Sequence, residues 1–131
     1  MDASELLQLY RAGRVEFSDV DLSGADLSAK DLHKVNFSRA RLCKTNLKSA
    51  KLCRANLSGA DLSSADLKGA DLHRANLRRA NLKGADLRNA DLRDADLRGA
   101  DLSRAYLQDA VFQGAMMQNA ILQNVIWDRR I

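Results

Sequence analysis

Three residues of metal-ligand type, His33, Cys53 and His73, follow one another at intervals of twenty, each directly after a leucine. Ten aspartates, at 21, 26, 31, 61, 66, 71, 86, 91, 96 and 101, each stand directly before a leucine. Imidazoles and thiolates hold zinc where three or four of them converge. Paired carboxylates do acid–base work where a cleft drives their pKa values apart. The regularity of the spacing argues against both, because a site needs side chains gathered from different places and these recur in step. No serine, cysteine or glycine-loop motif stands beside a base at usable spacing. The aspartates read as a structural rhythm, and the sequence offers no catalytic residues and no cofactor site.

That rhythm is the fold signal. In "ADLKGADLHRANLRRANLKGADLRNADLRDADLRGADL", residues 65–102, one five-residue unit recurs without a break. Every fifth position from Phe17 to Trp127 is Phe, Leu, Met or Trp, and two residues earlier stands a small or β-branched residue, usually Ala, with Lys30 the exception and Thr45 a polar substitute. A helix turns about 100° per residue, so leucines five apart would spiral around it instead of forming one face. A continuous strand fails as well, since a shift of five moves the next leucine to the opposite face. One geometry satisfies both constraints: a three-residue strand with Ala and Leu inward, then a two-residue corner that turns the next pair inward too. The corner pairs hold six of the seven glycines, as tight turns require. Repeated corners wrap the chain into a filled tube, an all-β solenoid whose coils stack about 4.8 Å apart.

The unit A(D/N)LXX, as in "ANLSGADLSSADLKGADL" at residues 55–72, resembles the pentapeptide repeat family. The resemblance implies a right-handed quadrilateral β-helix with four units, hence twenty residues, per coil, and nearly six coils over residues 15–127. The opening "ELLQLYRAGRVEFSDVDLSGADL" is similar to that of many cyanobacterial members. On this register His33, Cys53 and His73 form one straight column beside Arg54 and Arg74, which does not converge three ligands on a point; no metal is assigned. Cys43 falls half a coil from Cys53, on the opposite face, and both thiols are expected to be free. Asn36, Asn56, Asn76 and Asp96 stack as an outward row, expected to bond along the rod as an amide ladder.

Both ends of a tube need closing. Residues 1–14 are predicted to form a short capping α-helix: Asp2 and Glu5 have capping-box spacing, Leu6, Leu9 and Tyr10 share one helical face, and Gly13 stops the helix. At the other end the outward residues turn apolar, as Tyr106, Val111, Met116, Ile121 and Ile126, and residues 110–127 carry no charge. With Trp127 they form a candidate self-association surface. In some relatives two chains join end to end at this coil, which implies a two-fold homodimer here; the alternative is an apolar capping coil on a monomer. Residues 128–131 read as a tail. Lys30, inward near the N-terminal mouth, is expected to snorkel past the rim.

The chain carries 21 Lys and Arg against 17 Asp and Glu, a formal net charge of +4. Cations concentrate at corners with aspartates between them, so the surface reads as banded, with no side strongly of one sign. This disfavours a DNA mimic of the kind by which some relatives occupy type II topoisomerases, which needs an extended negative field. Interleaved Asp and the lack of aromatic platforms also disfavour nucleic acid as a partner, leaving only weak binding through corner Arg and Lys. There is no signal-peptide-like run and no stretch of the roughly 20 apolar residues that spans a membrane. The expectation is a cytoplasmic, non-enzymatic module that binds a protein partner.

Overall fold

The computed structural model describes residues 1–127; the expected tail, 128–131, lies outside the described residues. The backbone is a right-handed quadrilateral β-helix preceded by one helix, α1 (Ala3–Arg11). Every β-bridge is parallel and joins residues twenty apart, from Glu16 with Asn36 to Tyr106 with Ile126, so four units close each coil. The sides are shorter than the three-residue strands expected from sequence. A corner every five residues leaves room for only one isolated bridge per side, at the outward residue. The first side carries residues 15–17, 35–37 and so on; the second 20–22, the third 25–27 and the fourth 30–32, each repeating at twenty.

The interior is the two-residue pattern made solid. Leu27, Leu47, Leu67 and Leu87 are fully buried, as are their equivalents on the other sides, and each alanine from Ala40 to Ala105 at the inward position is at most 1% exposed. Burying one leucine stabilises the fold by roughly 1.5–3 kcal/mol. Alanine stands where the chain leaves a corner and the tube wall comes close. Thr45 takes that place by bonding its hydroxyl to the Leu42 carbonyl within the same corner. Lys30 is half-buried at the mouth.

Each corner bends through a residue of positive φ, the second after the inward residue, and every corner from Ser23 and Gly24 onward has an i to i+3 bond such as Ala55 N–H to Leu52 O at 3.0 Å. Positive φ at that single position is the signature of a type II turn. Non-glycine residues fill sixteen of these left-handed positions, among them Arg54, Arg74 and Arg79, although such a conformation costs them roughly 1–2 kcal/mol. The outward Asp or Asn offsets that cost. At all fifteen outward Asp and Asn positions the Oδ1 accepts the backbone N–H two residues on, at 2.9–3.3 Å, an Asx turn that holds the corner. The amide ladder expected along Asn36, Asn56, Asn76 and Asp96 is therefore not formed: their oxygens turn to their own corners. The one bond along that row runs from Asn36 Nδ2 to Glu16 Oε2, 2.6 Å.

The helix closes the N-terminal mouth as its residues require. Asp2 accepts the Glu5 N–H at 2.8 Å. At the other end Gly13, at φ 103°, allows Gly13 N–H to reach Tyr10 O and Arg14 N–H to reach Leu9 O, a Schellman stop. Leu6 is fully buried against the first coil, Leu7, Leu9 and Tyr10 are partly so, and the Tyr10 hydroxyl donates to the His33 carbonyl at 2.9 Å.

If the outward carboxylate acts as an acceptor for the corner, Asp66→Ala should lower stability by about 1 kcal/mol while Asp66→Asn, which keeps an Oδ1, stays near neutral. Paired thermal melts check this; equal losses would show that charge, not the turn bond, is what Asp66 supplies.

Candidate functional site

The last coils present the predicted surface on all four sides. Tyr106 looks out from the third side, Val111 from the fourth, Met116 from the first and Ile121 from the second, at 36–45% exposure. Ile126, bridged to Tyr106, is half-buried. The Arg88 guanidinium lies 5.8 Å from the centre of the Tyr106 ring, so a cation borders the belt. Trp127 belongs to the inward series, yet it is 55% exposed and packs edge-on to Phe112, ring centres 6.1 Å apart.

Leu122, also inward, is 40% exposed, and Phe112 and Met117 are only partly buried. Sequence reasoning listened to the outward row and missed this end face. The signal was present in the register: among the described residues, no coil lies beneath the inward residues of the last one. Among the described residues, the N–H groups of Met117 and Leu122 and the carbonyls of Ala115 and Ala120 also have no backbone partner, whereas their equivalents one coil earlier are bonded. The site is thus an open sheet edge around an apolar floor, ringed by apolar outward side chains.

The ligand-type column exists but is not assembled as a metal centre. His33 Nδ1 lies 2.7 Å from Asp31 Oδ1 and 3.2 Å from the Tyr10 hydroxyl, and His73 Nε2 lies 3.4 Å from Asp94 Oδ2. Each imidazole is engaged with a carboxylate instead of its column neighbour. Among the described residues, no group of three or more His, Cys, Asp or Glu is placed to hold a metal. Cys43 and Cys53 are free thiols on opposite sides.

Asp21, Asp26, Asp91 and Asp96 are held ionised. The Arg93 guanidinium, with a bond at 2.7 Å, keeps Asp91 below the usual carboxylate range, and Arg98 does the same for Asp96. At Asp21 the Ser23 N–H has that effect, and at Asp26 the Ser28 hydroxyl and N–H. A general acid at neutral pH needs the opposite shift, so these aspartates serve the corners.

With the coil register, the inward leucines and the Asp and Asn corner bonds in place, the comparison with known proteins becomes interpretable. The family model described as pentapeptide repeats (8 copies) matches residues 16–59, 55–94 and 90–126. This chain is a pentapeptide repeat protein. Among solved structures, the pentapeptide repeat protein is similar to Rfr23 from the cyanobacterium Cyanothece 51142, at 31% identity and TM-score 0.70 over 95% of this chain and 99% of that one. It is similar also to alr5209 from Nostoc Pcc 7120, at 34% identity and TM-score 0.74 over 88% and 96%. QnrB1, a plasmid-mediated fluoroquinolone resistance protein, shares the fold at 21% identity and TM-score 0.56, with 86% of this chain against 62% of that one. No curated protein matches the chain. No described helix is long and apolar enough to cross a membrane.

Carboxyls that titrate lower in the folded chain than in the unfolded one contribute stability above the unfolded pKa, about 4, and lose it as pH falls through the folded values. Melting temperature should therefore hold from neutral pH down to about 5 and decline below about 4. Asp91→Asn with Asp96→Asn should flatten that decline; an acid limb identical to wild type would remove these two carboxyls from the account.

Proposed function

We propose that this pentapeptide repeat protein is a non-enzymatic, cytoplasmic interaction module that pairs with a second copy of itself through the C-terminal coil and offers its rigid sides to a further protein. The observation that carries the reading is the open edge of the last coil, with exposed Leu122 and Trp127 at its floor and Tyr106, Val111, Met116 and Ile121 around it. Unpaired edges and contiguous apolar surface are the features soluble proteins cover. A second copy suits them because a two-fold axis brings the same edge against itself, donors opposite acceptors, and the belt against the belt. The lack of charged residues from 110 to 127 supports the pairing, since this segment brings no like charges of its own across the axis.

A gyrase-binding role is disfavoured. A mimic of DNA needs an extended negative field, and this chain has a formal net charge of +4. The likeness to QnrB1, at 21% identity, is one of fold.

Sedimentation over a wide concentration range tests the pairing. The wild-type chain is expected to be a dimer, and Tyr106→Asp with Ile126→Asp a monomer with an unchanged circular dichroism spectrum. A wild-type chain that stays monomeric throughout would remove the reading.

A further inference from the structure

Sorting the charges by side breaks the banding expected from sequence. On the first side, the outward residues of three successive coils are Asn36, Asn56 and Asn76, and no carboxylate stands among them. The other sides carry Asp61, then Asp66 and Asp86, then Asp71 and Asp91, over the same coils. Along one edge of the first side run Lys34, Arg54 and Arg74; along the other, Arg39, Arg78 and Arg79, all of them exposed. Two of the six have carboxylate partners at the ends of the stripe: Arg39 bonds Asp19 at 3.0 Å, and Arg78 lies 3.8 Å from Asp96. Lys34, Arg54, Arg74 and Arg79 make no ion pair among the described residues.

The corner bonds do not explain the three asparagines. Asp and Asn hold corners equally well here, with Oδ1 to N–H distances of 3.0 Å for Asn56 and 3.0 Å for Asp61. What Asn changes is the other half of the group: it removes a negative charge and turns an amide N–H outward. The Nδ2 groups of Asn56 and Asn76 have no acceptor among the described residues. Beside them, the missing side chain of Gly59 opens a notch of about 340 Å³ lined by Arg39, Ser58, Asn76, Arg78 and Arg79. Cations, amide donors and a notch thus converge on one side, with no carboxylate among its three outward residues and carboxylates only at its two ends, Asp19 on Arg39 and Asp96 on Arg78.

We propose that this side binds the phosphodiester backbone of a nucleic acid duplex. The ligand class follows from shape and charge. The tube is filled, so the side is shallow and would not enclose a small phosphate compound as binding pockets do. Two rows of cations repeating at the coil spacing of about 4.8 Å suit a regular linear polyanion. The described part of this side, over these three coils, bears no exposed aromatic residue on which unpaired bases would stack, which favours duplex over single strand. Contacts confined to phosphate carry no sequence information, so binding is non-specific and falls steeply with salt.

The test is fluorescence anisotropy of a short labelled DNA duplex with the full chain. Engaging about four phosphates predicts a slope near −3.6 in log K against log salt, roughly a hundredfold loss between 50 and 200 mM. Arg74→Glu with Arg79→Glu is expected to weaken binding at least tenfold, on the order expected for losing two or more phosphate contacts. Lys44→Glu with Lys48→Glu, an equal charge change near the third side, should weaken it far less. The sharpest variant is Asn56→Asp with Asn76→Asp, which retains both corner acceptors: melting unchanged, binding lost. Failure of the duplex to bind at low salt, or equal losses in the two charge-reversal variants, would overturn the proposal. So would polyglutamate competing as well as DNA at equal charge, which would make the site one for an acidic protein segment.

Discussion

A bend that most residues resist, repeated every five residues, is the constraint on which this molecule depends. Unless each corner reaches positive φ, the next inward pair does not face the axis and the coil does not close. Three bonds hold the bend: the i to i+3 turn bond, the N–H of the left-handed residue to the next coil, as in Arg54 N–H to His73 O at 2.9 Å, and the Asp or Asn acceptor behind it. Where the third is missing, the chain compensates at the corner itself. Behind Glu16, Tyr106, Val111, Met116 and Ile121 the left-handed residues are Asp19, Asp109, Gly114, Asn119 and Asn124, types that tolerate that conformation. The apolar belt can therefore exist because the last corners have shifted their tolerant residues by three positions. Arg41 and Lys51 are the exceptions, with Lys44 and Arg54 at their corners and the two cysteines between.

This explains how far the sequence was legible. The inward period is written in residue type, because a large apolar residue, mostly Leu, paired with a small one, mostly Ala, fills the tube, and the helix is written in Asp2, Leu6 and Gly13, each of which acts locally. The number of units per coil is not written in the period: any closed polygon would keep Leu inward, and four came from the family resemblance. The role of Asp and Asn was misjudged for a related reason. Stacking at twenty suggested bonds along the rod, but the nearer partner is the N–H two residues on, and the local bond wins because it requires no alignment between coils.

What remained hidden was whatever depends on summing over one side. Read along the chain, Arg and Asp alternate and cancel; read down a column, Asn36, Asn56 and Asn76 line up and the cations flank them. A solenoid converts a spacing of twenty into adjacency, so residues far apart in sequence act as one surface. The same register leaves Leu122 and Trp127, which the period marks as core, exposed among the described residues.

The fold thereby separates stability from recognition. An outward residue must, at most, offer one oxygen to its corner, and Asp and Asn do so equally; its charge and its second polar group are left for other uses. Where an apolar residue takes that place, even the oxygen is supplied elsewhere. The two surfaces are accordingly independent: the stripe ends where Asp94 and Asp96 restore negative charge, and the belt on that side begins only at Met116, one coil further on. Changing either leaves the leucine stack untouched, because no residue of the stripe or of the outward belt contributes to the buried core.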